Sequence, residues 1–139
     1  MRGGRARFVI ASLSLLVMTA CQTDSKQQVL YTDRSQVEMR AISTRAFDTA
    51  DRSLTIRNVI GTLQDLGFVV DKADSILGTV SATKLAGYAM RMTVTIRPRG
   101  EKQLAVRASA QYNLVGVSDA GAYDQFFAAL EKAMFLTAH

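Results

Sequence analysis

The sequence predicts an α+β domain: a two-layer sandwich in which an antiparallel sheet of about five strands carries two helices on one face, in the order βαββββα. Three patterns predict it. Tyr88, Met90, Met92, Val94 and Ile96 alternate with Ala89, Arg91, Thr93, Thr95 and Arg97, the period-two signature of a half-buried strand. Leu104, Val106, Ala108, Ala110 and Tyr112 alternate in the same way with Ala105, Arg107, Ser109 and Gln111. Ile56, Val59, Ile60 and Leu63 recur at helical spacing, and Tyr123, Phe126, Phe127, Leu130, Ala133 and Met134 form one wide apolar stripe. A composition 48% hydrophobic and 21% charged, with a single Pro, is enough for a core and argues against disorder.

Taken in order, the domain spans residues 37–139, and Val37 to Phe47 reads as a first strand of β-branched and apolar residues in rough alternation. Asp48 and Asp51 precede the first helix, with Asp51 as its N-cap and both carboxylates near the positive end of the helix dipole. Gly67 suits the left-handed position after the last turn. Gly61 inside the helix costs about 1 kcal/mol against Ala, which predicts close backbone approach there by the sheet or by a partner. Phe68 to Lys72 and Leu77 to Lys84 read as a hairpin turning through Ala73-Asp74-Ser75.

The two alternating strands pair next. Their paired positions must sum to an even number, since a slip of one residue sets an apolar row against a polar one. Leu104 opposite Ile96 satisfies this, with Val106 against Val94, Ala108 against Met92, Tyr112 against Tyr88, and a turn at Arg99-Gly100-Glu101. Ser118 or Asp119 then caps the final helix.

Ahead of the domain, Met1 to Arg7 form a basic n-region and Phe8 to Met18 an uninterrupted run of small and apolar residues, the layout of a secretory signal peptide over residues 1–20. Eleven residues fall short of the roughly 20 that a spanning helix needs, which makes a permanent transmembrane helix the weaker alternative. The string Leu16-Val17-Met18-Thr19-Ala20-Cys21 resembles the bacterial lipobox, with Met18 where Leu is more usual. That resemblance implies cleavage between Ala20 and Cys21 and a diacylglyceryl thioether on Cys21, which satisfies the two-chain requirement for stable anchoring. The alternative is a free or buried thiol. Gln22, not Asp, follows the cysteine; by the same resemblance this favours the periplasmic side of the outer membrane, with the inner membrane as the alternative. Residues 21–36 are polar and without sustained periodicity, and they read as a tether with a reach of about 50 Å when extended.

The element order is similar to the helix-grip domains in the lipoprotein subunit of the outer-membrane β-barrel assembly machinery. Arg45-Ala46-Phe47-Asp48-Thr49, with Leu63-Gln64-Asp65-Leu66-Gly67-Phe68, also resembles a group of small bacterial lipoproteins. Neither likeness carries functional residues onto this chain.

Catalytic chemistry finds little to work with. His139 is the one histidine and the last residue given, so Ser-His-Asp and Cys-His arrangements are not expected, and neither is a metal or cofactor. The pairs Asp48/Asp51 and Asp71/Asp74 read as caps and turn formers. Met90 and Met92 read as core filling. The formal charge of +5 includes Arg2, Arg5 and Arg7, which leave with the signal; fourteen basic residues then face twelve acidic ones. No basic cluster interleaves with aromatics, so nucleic acid is not an expected partner.

The candidate partner surface is the polar sheet face bearing Arg91, Arg97 and Arg107 among Thr93, Thr95, Ser109 and Gln111. A solvated face is the plainer interpretation, and an open strand edge is a further candidate. The expected function is a non-catalytic accessory lipoprotein holding another envelope component, a protein complex, at the membrane. The alternative is a binding module for a lipid or small apolar ligand in a cavity lined by Tyr88, Met90, Met92, Tyr112 and Phe127.

Overall fold

A computed structural model describes residues 35–85 and 89–137. Cys21, Ala20, the signal and nearly all of the tether lie outside them, as do Tyr88 and His139. The chain opens on a helix, α1 (Gln36–Ser43), where a strand was predicted from Val37. A capping box explains the difference: Ser35 Oγ accepts from Glu38 N at 3.2 Å, and a Glu38 carboxylate oxygen accepts from Ser35 N at 2.8 Å. Met39 and Ile42, three residues apart, turn one side of this short helix to the core. Only Thr44–Phe47 is strand, β1.

The second helix, α2 (Arg52–Asp65), begins where its cap predicts, with Asp51 Oδ1 accepting from Leu54 N at 2.8 Å. Its end is a Schellman motif. Phe68 N donates to Leu63 O and Gly67 N to Gln64 O, both at 2.9 Å, with Gly67 at φ +83°. Leu63 and Phe68 are both buried, which adds the hydrophobic contact such motifs favour. The sheet does not approach Gly61 closely, because a Cβ there would meet nothing within 4 Å in the described chain.

Strands β2 (Val69–Asp74) and β3 (Thr79–Leu85) form the expected hairpin, but the turn is 75–78 and not Ala73-Asp74-Ser75. Asp74 closes it from its first position. Its carboxylate accepts from Leu77 N and its carbonyl from Gly78 N, each at 2.8 Å, while Gly78 takes φ +67°. Arg52 Nη2 donates to Ile76 O at 2.9 Å and fastens the turn to the start of α2.

Strands β4 (Ala89–Arg99) and β5 (Gln103–Tyr112) pair with Val106 opposite Ile96, Ala108 opposite Val94 and Ala110 opposite Met92. This corrects the predicted register by two residues. The left-handed residue Gly100, φ +69°, stands first in a turn over 100–102 and not at the centre of one, so Arg99 still pairs with Gln103. A shift of two preserves parity, and every side chain keeps its predicted face.

The sheet order is β1-β5-β4-β3-β2, all antiparallel, with a two-residue strand β6 (Val115–Gly116) also on β5. β1 takes Leu104 to Arg107 and β6 takes Gln111 and Tyr112, so the two divide one edge of β5. The last helix, α3 (Ala120–Thr137), buries Tyr123, Phe126, Phe127 and Leu130 as its stripe predicts. The fold is thus α+β, an antiparallel sheet of five long or short strands plus β6, with three helices packed on it where two were expected.

Val80, Ala82, Met92, Val94, Ile96, Leu104, Val106, Ala108 and Ala110 point from the sheet into the helices. The core and the residues packed on it run from Met39 to Met134, so the described unit carries its own interior. Among the described residues no helix is long and apolar enough to cross a membrane.

Candidate functional site

The uncovered face of the sheet is built by the polar half of each alternation. Across the strands Thr93 lies between Ser81 and Ser109, and Thr95 between Thr79 and Arg107. Hydroxyls therefore fill the middle of this face, and Ser81 Oγ and Thr93 Oγ1 lie 3.4 Å apart.

The three predicted arginines all emerge here, but the structure does not bring them together. Arg91 stands beside Thr83 and Gln111 at the end of the sheet where β4 begins. It lines a shallow hollow of about 330 Å³ that Leu114 also borders. Arg97 and Arg107 lie towards the other end and share a groove of about 700 Å³ with Thr44, Thr95, Ala105 and, from α1, Arg40 and Ala41. Sequence reasoning missed Arg40, because a strand through Val37–Phe47 gives it no place beside the sheet. The Ser35-x-x-Glu38 box was the signal that would have found it.

Among the described residues none of Arg40, Arg97 and Arg107 makes an ion pair or a side-chain hydrogen bond. The basic residue that does make an ion pair is Arg45, on the helix side, which reaches Asp124 at 3.5 Å and lies 5.1 Å over the Phe127 ring. Four carboxylates are occupied elsewhere. Asp48 accepts from Gln103 Nε2, Asp51 caps α2, Asp71 accepts from Thr83 Oγ1 at 2.6 Å and Asp74 closes its turn. No group of acids or other metal ligands among the described residues could hold an ion.

A second concavity lies inside the grip of the helices, about 360 Å³ between the end of α2, the strands β3 to β5 and the start of α3. Met90, Met92 and Tyr112 line it as predicted, joined by Leu66, Phe68 and Ala122. Phe127 does not line it, being packed edge-to-face on Phe126 with ring centroids 5.1 Å apart. Lys84, Asp119 and Gln125, unforeseen, supply its polar groups. Lys84 Nζ donates to Leu66 O at 2.8 Å and lies 5.7 Å over the Phe68 ring, so its ammonium is held at the wall.

Of the two terminal strands of the sheet, β1 and β2, the second is poorly suited to a partner strand. β2 is interrupted by a bulge between Val70 and Lys72 and carries the Lys72 charge, two features that blunt an edge. The chain matches no protein-family model and no curated protein.

Proposed function

We propose that the chain is a non-catalytic, membrane-anchored lipoprotein of the cell envelope, attached through Cys21, whose domain holds another envelope component against its open sheet face. The groove of Arg40, Arg97 and Arg107 carries this proposal: three arginines line it, and none has an acidic partner among the described residues. Such a concentration of one charge on a concave surface attracts and orients an anionic occupant and gives it little else to react with. The anchor, on this proposal, lies on the periplasmic side of the outer membrane, or of the inner membrane.

Cross-linking in intact cells, followed by detergent solubilisation and affinity recovery, tests it. The wild type should bring down a defined envelope component, and a variant with Arg97→Glu and Arg107→Glu should bring down at least tenfold less. Recovery of the free protein in both cases would remove the proposal.

A second function is supported by the cavity in the helix grip, whose size falls in the range of about 300–1,000 Å³ usual for small-ligand sites. Met90 and Met92 give it an adaptable apolar wall. Native mass spectrometry of residues 22–139 should then show a co-purifying small apolar molecule, absent when Ala122→Phe narrows the cavity.

A further inference from the structure

We infer that the Arg40–Arg97–Arg107 groove is a seat for the phosphate headgroups of the same membrane that anchors the chain, so that the domain lies against the bilayer by its open sheet face. The inference rests on the proposed function and specifies its occupant as anionic phospholipid.

The chemistry comes first. Arg107 is flanked across the strands by Thr44 on one side and Thr95 on the other, and Arg97 sits opposite Ala105. Arg40, Arg97 and Arg107 line the groove together with Thr44, Thr95 and the small side chains of Ala41 and Ala105. Guanidinium forks pair with phosphate oxygens through two parallel hydrogen bonds, and hydroxyls add neutral donors, so the groove suits a phosphodiester.

The connection of the chain chooses between a lipid surface and a soluble acidic partner. Ser35 caps α1, and Arg40 follows five residues later, a rise of about 7 Å along the helix. The helix that receives the segment from Cys21 is therefore the helix that contributes a guanidinium to the groove. Fourteen residues from Cys21 to Arg34 extend at most about 50 Å, so an anchored chain holds the groove at high effective concentration beside headgroups. A soluble partner has no such advantage.

Residues 22–139, which lack both the cysteine and any acyl chain but retain the whole core, provide the test. They should co-sediment with phosphatidylcholine vesicles containing phosphatidylglycerol and not with phosphatidylcholine alone, and added salt should release them. Each of Arg40→Gln, Arg97→Gln and Arg107→Gln should weaken binding about fivefold, and the triple variant about a hundredfold. Arg91→Gln, on the same face but outside the groove, should weaken binding less than any groove variant. Binding lost as much by Arg91→Gln as by a groove variant would overturn the inference, because only net charge would then be at work. So would absence of binding to the phosphatidylglycerol vesicles at low salt, or equal binding to phosphatidylcholine alone. If vesicles fail while cross-linking still recovers a protein partner through Arg97 and Arg107, this inference falls and the proposed function stands; if both fail, both fall.

Discussion

At the scale of single residues the interior depends on a few polar groups whose partners are known. Tyr123 is buried, and its hydroxyl donates to Val117 O at 2.8 Å while accepting from Ala110 N at 3.2 Å. It thereby joins α3 to the stretch of β5 beyond the reach of β1 and to the chain just after β6. Replacing it with Phe leaves a backbone donor and acceptor without this partner, and stability should fall by about 1–3 kcal/mol in urea unfolding. Burial, opposed by the Ala110 hydrogen bond and the Arg107 charge, raises the phenol above its ordinary pKa. An unfolded tyrosine ionises near pH 10, whereas the folded one keeps its proton, so the unfolded state then binds fewer protons. The contribution of Tyr123 is complete below about pH 10 and is lost as pH rises towards the raised folded value. Unfolding midpoints across the alkaline range should therefore fall less steeply in Tyr123→Phe than in the wild type. Thr62 is the opposite case, since its buried Oγ1 finds no hydrogen-bond partner among the described residues. Thr62→Val keeps the shape and removes the unpaired hydroxyl, so it should be neutral or stabilising by about 1 kcal/mol in the same assay.

At the scale of elements two glycines separate propensity from geometry. Gly61 lies in the interior of α2 with room for a Cβ, and Gly61→Ala should raise stability by about 1 kcal/mol. Gly78 has φ +67°, and a Cβ there would stand 2.7 Å from Ile96 O and collide with the Arg52 guanidinium. Gly78→Ala should cost at least 1–2 kcal/mol from the left-handed backbone alone, read as a lower unfolding midpoint. Asp51, Gly67, the α3 stripe and the faces of β4 and β5 were legible because each rests on a local rule: a cap, a left-handed stop, a period. What was not legible rested on competition between rules. Val37 to Phe47 contains alternation and a capping box at once, and the box prevails over the first half because Met39 and Ile42 find the core as a helix. Parity settles which face a side chain occupies but leaves registers two residues apart equivalent, and only the position of Gly100 in its turn decides between them. The same limit applies to the groove. Arg97 and Arg107 were readable from alternation, whereas Arg40 joins them only once α1 is recognised. Ser35→Ala should accordingly cost about 1 kcal/mol and loosen α1 first, seen as faster hydrogen exchange at Glu38 and Met39.

At the scale of the whole molecule, the proposed attachment is separable from folding, and that separation can be tested at Cys21. All buried apolar residues described lie between Phe47 and Leu130, and the first contact described, the Ser35 cap, comes fourteen residues after the cysteine. The described interior is therefore built without Cys21. On the proposed function, Cys21→Ser removes the sulfur that carries the diacylglyceryl group, and with it the two chains that make attachment stable, each buried methylene contributing about 0.8 kcal/mol. A groove of three arginines does not replace that anchor, because at about 1 kcal/mol for each basic residue it binds headgroups reversibly and yields to salt. Clickable fatty acid fed to cells should label the wild type and not the variant. The variant should leave membranes in a high-salt wash, or stay uncleaved, whereas the wild type should require detergent. Unfolding of residues 22–139 should match that of the detergent-released wild type within about 0.5 kcal/mol. A wild type that takes up no label, with its mature N-terminus elsewhere than Cys21, would replace the lipoprotein with an ordinary exported protein and leave the groove alone to explain any hold on the membrane.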